Sequence, residues 1–385
     1  MTLVITTFPA ATSGNVGDML ITASFVELAR HIRVLGKYET LYREEPLTPE
    51  VLSQFGDDTI FMPGMSVAYD SYPRHYALVE DPDNLPLGLV PFGCSWQHPI
   101  GNIEDAERAS IAPTFRRALL NIVDHSGPIA TRDPQAEAVL QRNGIPAITV
   151  GDCAWYHLPS KGKPMRRPTE LRNIAVTTPH AFRFKDQSIA LIDMLKESWP
   201  SARIVLFLHS KNRKLTREIS DYAKRIDVAV VEAAGKLEIF DEYEKFDLHI
   251  GHRLHGHIGF LRRRKPSILF MEDARSKGFA QSLPVGCFEA NRSDHTNSQL
   301  AEMPIEDALP LVSADMAAVT RAQQFIEQEM QTGFARYSGV PKFLDTMLED
   351  VFLPTLEARV RSVKRILGRP AKENPLARIF KAIGA

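Results

Sequence analysis

Short runs of apolar residues alternate along this chain with longer stretches whose apolar positions recur every three or four residues. In the first 150 residues the runs are 3–7, 59–62, 87–92, 128–131 and 147–150. Between them Ile21, Phe25, Leu28 and Ile32 share one helical face, and 104–123 and 134–142 show the same period. A continuous apolar run suits a strand covered on both faces, so the alternation predicts a parallel, doubly wound sheet. Pro159, Gly162, Pro164 and Pro168, mixed with Lys161, Lys163, Arg166 and Arg167, then read as a linker. A second set follows, with strands at 173–178, 203–209, 228–231, 247–250 and 267–271 and helices at 187–198, 215–225 and 237–245. The pattern thus divides into a half at 1–160, a basic linker at 161–170, a half at 171–291, a helical extension at 292–350 and a tail at 351–385. Within the extension the helical stretches are 310–332 and 341–351. Two α/β halves of this kind face one another across a cleft, which is the default binding site.

Composition narrows the function classes. A length of 385 residues suits two ordinary α/β domains, and 44% hydrophobic with 24% charged residues is the balance of a soluble globular protein. A formal net charge of -1 gives no global field to draw nucleic acid. Cys94, Cys153 and Cys287 are too dispersed for a disulfide framework or zinc knuckle. The first residues read as a strand and not a signal peptide, and no run approaches the roughly 20 apolar residues of a spanning helix, so a cytoplasmic protein is expected. The tail is different. It carries eight Lys or Arg against Glu357 and Glu373, with an apolar stripe of Leu356, Val360, Val363, Ile366, Leu367, Leu376, Ile379, Phe380 and Ile383. Such a stripe serves either as peripheral contact with the inner face of an anionic membrane or as a helix docked on its own domain.

The densest chemistry lies at 249–258, His-Ile-Gly-His-Arg-Leu-His-Gly-His-Ile. It reads as a strand end at 246–250, a glycine turn, a helix to about residue 262 and a second strand at 266–271. A turn of this kind presents side chains and helix-start amides at the carboxyl edge of a parallel sheet, where anions bind. Arg253 would then offer a guanidinium fork to a carboxylate or phosphate, with His255 as proton donor or acceptor beside it. Two other readings stand next to this one: the histidines decorate an ordinary βα turn, or His252-x-x-His255 and His255-x-His257 gather a metal. In the loop Gly14-Asn15-Val16-Gly17-Asp18, Asn15 or Asp18 caps the following helix or faces the cleft. Ser95 and Arg132 sit at two strand ends, and Asp133-Pro134 is a helix start, which leaves Arg132 for the cleft.

These stretches together resemble the polysaccharide pyruvyl transferase family. The resemblance is carried by Gly14-Asn15-Val16-Gly17-Asp18 with Ile21, by Thr131-Arg132-Asp133 with Leu140 and Gly144-Ile145, and by Gly151-Asp152-Cys153-Ala154-Trp155. It is completed by Arg253-Leu254-His255 with Ile258 and Lys265-Pro266, so that it spans residues 1 to about 290. It implies a GT-B-like fold, two Rossmann-like parallel-sheet halves across a cleft. It also implies transfer of the enolpyruvyl unit of phosphoenolpyruvate onto a sugar diol, with no cofactor and no metal. Arg253 and His255 inherit donor binding and the acid role, Leu254 an apolar wall, and Lys277 the place of a lysine in the family. Asp18 is the expected base, with Asn15 and Gly14 beside it. Two stretches depart from the family: Met62-Pro63-Gly64-Met65-Ser66 replaces a run of glycines, and Thr178-Pro179-His180 stands where many members have arginine. His180 or Arg183 would then supply the missing cation. The acceptor is expected to be a saccharide, free or lipid-linked. Rival readings are a nucleotide-sugar glycosyltransferase, using Glu232 or Glu272 for ribose hydroxyls, and a non-catalytic member of a glycan assembly complex.

Overall fold

The computed structural model describes residues 2–10, 14–55, 58–211 and 214–368. In the N-terminal half, β1 (Thr2–Ile5), β2 (Tyr38–Leu41), β3 (Ile60–Pro63) and β4 (Leu89–Phe92) pair in parallel in the order β2-β1-β3-β4. A bridge from Cys94 to Thr131 carries the pairing on to β5 (Ile129–Thr131), which pairs in parallel with β6 (Ala147–Thr149). β1, β3 and β4 are buried throughout, as their unbroken apolar runs require, whereas the edge strand β2 is half-exposed and partly polar. No apolar run announced β2.

In the C-terminal half, β7 (Asn173–Thr177), β8 (Arg203–Leu208), β9 (Ala229–Glu232), β10 (Leu248–Gly251), β11 (Ser267–Met271) and β12 (Cys287–Glu289) form one parallel sheet. Its order is β9-β8-β7-β10-β11-β12. That is the doubly wound order in which the direction of winding reverses between the first and fourth strands, here β7 and β10, and ligands bind outside the carboxyl ends at that reversal.

The helices follow from local chemistry. α1 (Val16–His31) is capped by Asn15, whose Oδ1 accepts from the Gly17 amide at 3.2 Å, and it buries Leu20, Ile21, Phe25 and Leu28. The helix expected over 104–123 is two, α2 (Ile103–Arg108) and α3 (Pro113–Ser126). Ala112 precedes a proline and is extended (φ -55, ψ 140), which breaks the path. α4 (Pro134–Arg142) has Asp133 as its cap and α5 (Lys185–Ser198) follows β7. The stretch 237–245 is a helix of four residues, Ile239–Glu242, and a single 3-10 turn. α6 (Leu254–Leu261) follows β10, and α7 (Ala274–Ser282) follows β11.

The C-terminal region corrects another expectation. The stretch 310–332 contains a short turn and then α8 (Ala317–Thr332). After it, α9 (Val340–Thr346) runs through a π-helical stretch at Met347–Phe352 into α10 (Leu353–Ile366), which returns to the N-terminal half. Phe352 packs edge-on against Phe92 at 4.9 Å and Tyr156 at 4.8 Å between ring centroids. Leu356, Val360 and Val363 are buried, so this part of the stripe is spent on the protein itself and not on a membrane. Residues 369–385, with Leu376, Ile379, Phe380 and Ile383, lie outside the described residues. One apolar core runs continuously through α1, the C-terminal sheet and α8 to α10, and a second fills the N-terminal half.

Candidate active site

The carboxyl ends of β7 and β10 meet at Gly251. Its φ of +150° is open only to glycine, and a Cβ there would stand 2.4 Å from the Thr177 carbonyl oxygen. This close approach carries the chain straight into α6, with Arg253 in the N-cap position and His255 in the first turn. Arg253 is 5% exposed and lies along the end of β7. Its Nε donates to the Thr178 carbonyl at 3.0 Å, Nη2 to Ser210 Oγ at 2.9 Å and to the Pro179 carbonyl at 3.4 Å, and Nη1 lies 2.8 Å from His180 Nε2. Arginine only donates, so His180 Nε2 accepts here. His180 therefore orients the guanidinium instead of supplying the second cation expected of it.

The cleft in front of this turn is lined by Asn15 from the N-terminal half and by His180, His209, His252, Arg253, Leu254, His255, Glu272, Asp273 and Arg275 from the other. Glu272 accepts from the His180 amide at 2.8 Å and the Ala181 amide at 3.3 Å. Burial and the adjacent Asp273 push its carboxyl up to about 7, against the pull of Arg253. Asp273 caps α7 and receives Arg275 Nε at 2.9 Å. Burial opposes its ionisation, but Arg275 holds the carboxyl below the usual range. Of the remaining histidines in the turn, His249 bonds Thr177 and Ser267, His257 bonds Ser267 and His252 bonds Gln187, at 2.7–2.9 Å. Burial drives His252 and His257 down to about 3, Arg253 adding to the effect on His252, so both are neutral core groups. Among the described residues no three His, Cys, Asp or Glu side chains converge as a metal cage would require.

His255 is 8% exposed, against 1% for His252, and lines the cleft together with Arg253 and Arg275. Its ring is held by the N-terminal half on two sides. The first turn of α1 packs against it so closely that a Cβ on Gly17 would stand 2.5 Å from Nδ1. On the other side Nε2 lies 3.5 Å from Asp152 Oδ2, an ion-pair contact without an aligned hydrogen bond. Burial alone would raise the Asp152 carboxyl, yet His255, Arg132 and the Ala154 amide hold it below its ordinary range.

A model of the family "Polysaccharide pyruvyl transferase" matches residues 15–273. The chain belongs to this family. The matched segment opens at Asn15 and closes at Asp273, both of which line the cleft. No curated protein matches the sequence at a significant level. Among solved structures, the UDP-GlcNAc 2-epimerase of Neisseria meningitidis bound to UDP-GlcNAc superposes with a TM-score of 0.52 at 11% identity, over 91% of this chain and 99% of that one. The S. aureus MnaA–UDP structure gives 0.52 at 10% identity, over 96% and 99%. At such identities the likeness is one of fold, and this member of the family is GT-B-like, with parallel-sheet halves and a helical C-terminal region.

The structure does not gather every residue expected at the site of this pyruvyl transferase family member. Gly14 and Asn15 are at the cleft edge, tied to the opposite half by the Gly235 amide donating to the Gly14 carbonyl at 2.7 Å and the Val16 amide to the His209 carbonyl at 3.1 Å. Asp18 is half-buried on the first turn of α1, within electrostatic reach of Arg275. Arg132 is buried behind Asp152, with Nη1 3.4 Å from its Oδ2, and does not face the cleft. Ser95 is buried in a two-residue ladder and accepts from Gln97. Arg183 spans the halves by donating to the Pro99 carbonyl at 2.9 Å. Lys277 pairs with Glu289 at 3.2 Å in a separate depression. Arg275 and Glu272 line the cleft with His255 and Arg253, and Asp152 touches the His255 ring from behind. Glu272 and Arg275 follow β11 directly, and their position at a carboxyl strand end was the signal for them. Glu232 is exposed, and both Glu272 oxygens already face amides, so neither is poised for ribose hydroxyls.

Proposed function

We propose that the protein transfers the enolpyruvyl unit of phosphoenolpyruvate to two hydroxyls of a sugar, giving a cyclic pyruvate ketal and inorganic phosphate. The observation that carries this reading is the presence of Arg253 and His255 on one turn at the sheet's winding reversal, with Arg275 on the same cleft, in a chain of this family. Phosphoenolpyruvate bears a carboxylate and a phosphate, and a guanidinium fork whose orientation is fixed by four neighbours suits such a ligand. His255 gives a proton to the methylene carbon, and the double-bond pair forms the new C–H bond, leaving an oxocarbenium-like centre. A sugar hydroxyl attacks that carbon. The C–O bond to phosphate then breaks, its electron pair leaving with phosphate, and the second hydroxyl closes the ketal. Of the two hydroxyl protons one restores His255 and the other leaves on phosphate. Asp18, on the turn of α1 next to His255, is the base in this scheme, with Asn15 as its positioning partner. The acceptor is a cell-surface polysaccharide unit or its lipid-linked precursor.

The test is phosphate release from phosphoenolpyruvate by the purified protein with a panel of aryl hexosides, beside His255→Gln. Acceptor-dependent release that falls by about 10²-fold or more in the variant is expected. Arg253→Ala should chiefly raise the donor KM. Wild-type turnover in His255→Gln would remove the acid assignment, and an unchanged donor KM in Arg253→Ala would remove its role.

A further inference from the structure

The groups behind His255 form a buried chain that donor binding and proton delivery leave unexplained. Asp152, 1% exposed, reaches the ring from the N-terminal half, its Oδ1 fixed by the Ala154 amide at 2.8 Å and its Oδ2 shared between His255 Nε2 and Arg132 Nη1. Arg132 in turn places Nε 3.1 Å from Asp133 Oδ2, and Asp133 Oδ1 caps α4 through the Ala136 amide at 2.9 Å. Removing two carboxylates and a guanidinium from water is costly, and neutral groups of similar shape would pack as well. What neutral groups would not provide is a fixed negative charge on one nitrogen of an imidazole. The other ring nitrogen, Nδ1, lies beside Gly17 in the first turn of α1, and His255 and Asn15 both line the cleft.

We propose that Asp152 is the positioning residue of His255: by holding Nε2 it fixes the ring and leaves Nδ1 as the nitrogen that delivers the proton to the substrate. The acid carried by the C-terminal half is thus oriented by the N-terminal half. This rests on the acid role proposed for His255. On transfer the Nδ1 proton goes to the methylene carbon, and a neutral ring remains with its other proton on Nε2 against the carboxylate. The charged and titratable groups around the ring are Asp152 with Arg132 behind it, Asp18 on α1, His209 after β8, Arg253 on its own turn, and Glu272, Asp273 and Arg275 after β11. Asp152 is the anion in contact with the imidazole, and Arg253, Arg275 and Arg132 are the cations around the site.

Two measurements on the full-length protein test the assignment. In the wild type, nitrogen-detected NMR of the imidazoles, with His255 assigned by the signals missing in His255→Gln, should show the neutral ring protonated on Nε2. A proton on Nδ1 would overturn the proposal without any active-site variant at Asp152 and without any acceptor. In Asp152→Asn, the His255 titration and the alkaline limb of kcat should both move to lower pH by about one unit or more, with donor KM unchanged and Asp152→Glu restoring part of the shift. A folded Asp152→Asn protein with wild-type titration and profile also overturns it. If the wild type releases no phosphate while its neutral ring is protonated on Nε2, the pairing stands and the transferase reading fails.

Discussion

Glu272 and Asp152 are both buried carboxyls on this cleft, and their neighbours push them in opposite directions. Asp152 faces a guanidinium and an imidazole and is held ionised. Glu272 is buried next to Asp273, and its folded value of about 7 exceeds the ordinary 4.5. A group raised in this way stabilises the fold fully below pH 4.5 and loses that contribution as pH rises through about 7. Glu272→Gln removes the titration, so its melting temperature should fall less than that of wild type between pH 4.5 and 7. Parallel melting curves across that window would show that Glu272 does not titrate there. Arg253 and His255 were legible in the sequence because a strand, a glycine and a helix start follow one another within a few residues. Lys277 was misplaced for a geometric reason. It and Arg275 are two positions apart on α7, about 200° around the helix, so only one of them can look into the cleft. Arg132 was misplaced because nothing local to 132 indicates that a carboxylate at 152 will cover it.

At the scale of elements, the buried strands were visible as unbroken apolar runs, and the half-exposed edge strand β2 was not. Pro113 was in plain sight within 104–123, yet the apolar period continues across it and hides the break. The amphipathic stripe after 351 has the same appearance whether it meets lipid or protein, and the structure resolves it only through its partners. α10 buries Arg359 with the stripe. Nη1 donates to the Ser126 and Gly127 carbonyls at 3.3 Å each, beneath the ring of Phe92, and burial lowers the guanidinium to about 10. Those carbonyls end α3, where helical backbone acceptors lack partners of their own. Arg359→Met keeps the apolar stem and removes the donor, so urea unfolding should show a loss of about 1–3 kcal/mol. An unchanged unfolding free energy would mean that solvent satisfies the two carbonyls.

Over the whole molecule, the cleft belongs to neither half alone. Gly17 and Asp152 from one half touch the imidazole carried by the other, and the Val16, Gly235 and Ala274 amides donate to carbonyls across the boundary. The two-half division was readable from the alternating pattern; that His255 is seated against α1 was not, since it depends on contacts over 200 residues apart. The chain also passes between the halves twice, once near residue 160 and again where α9 runs into α10. The two passages touch: the Gly162 amide donates to Asp345 Oδ2 at 3.0 Å, and Lys161 pairs with Glu349. Residues 161–164 are exposed. A single proteolytic nick between 161 and 162 should therefore not release the halves, because the second fragment keeps α10 docked in the first. The nicked protein should elute from gel filtration at the size of the intact chain and come apart only in denaturant; separate fragments under native conditions would show that the second passage does not hold by itself. Two pieces made separately and mixed would, on the same grounds, rebuild one working cleft.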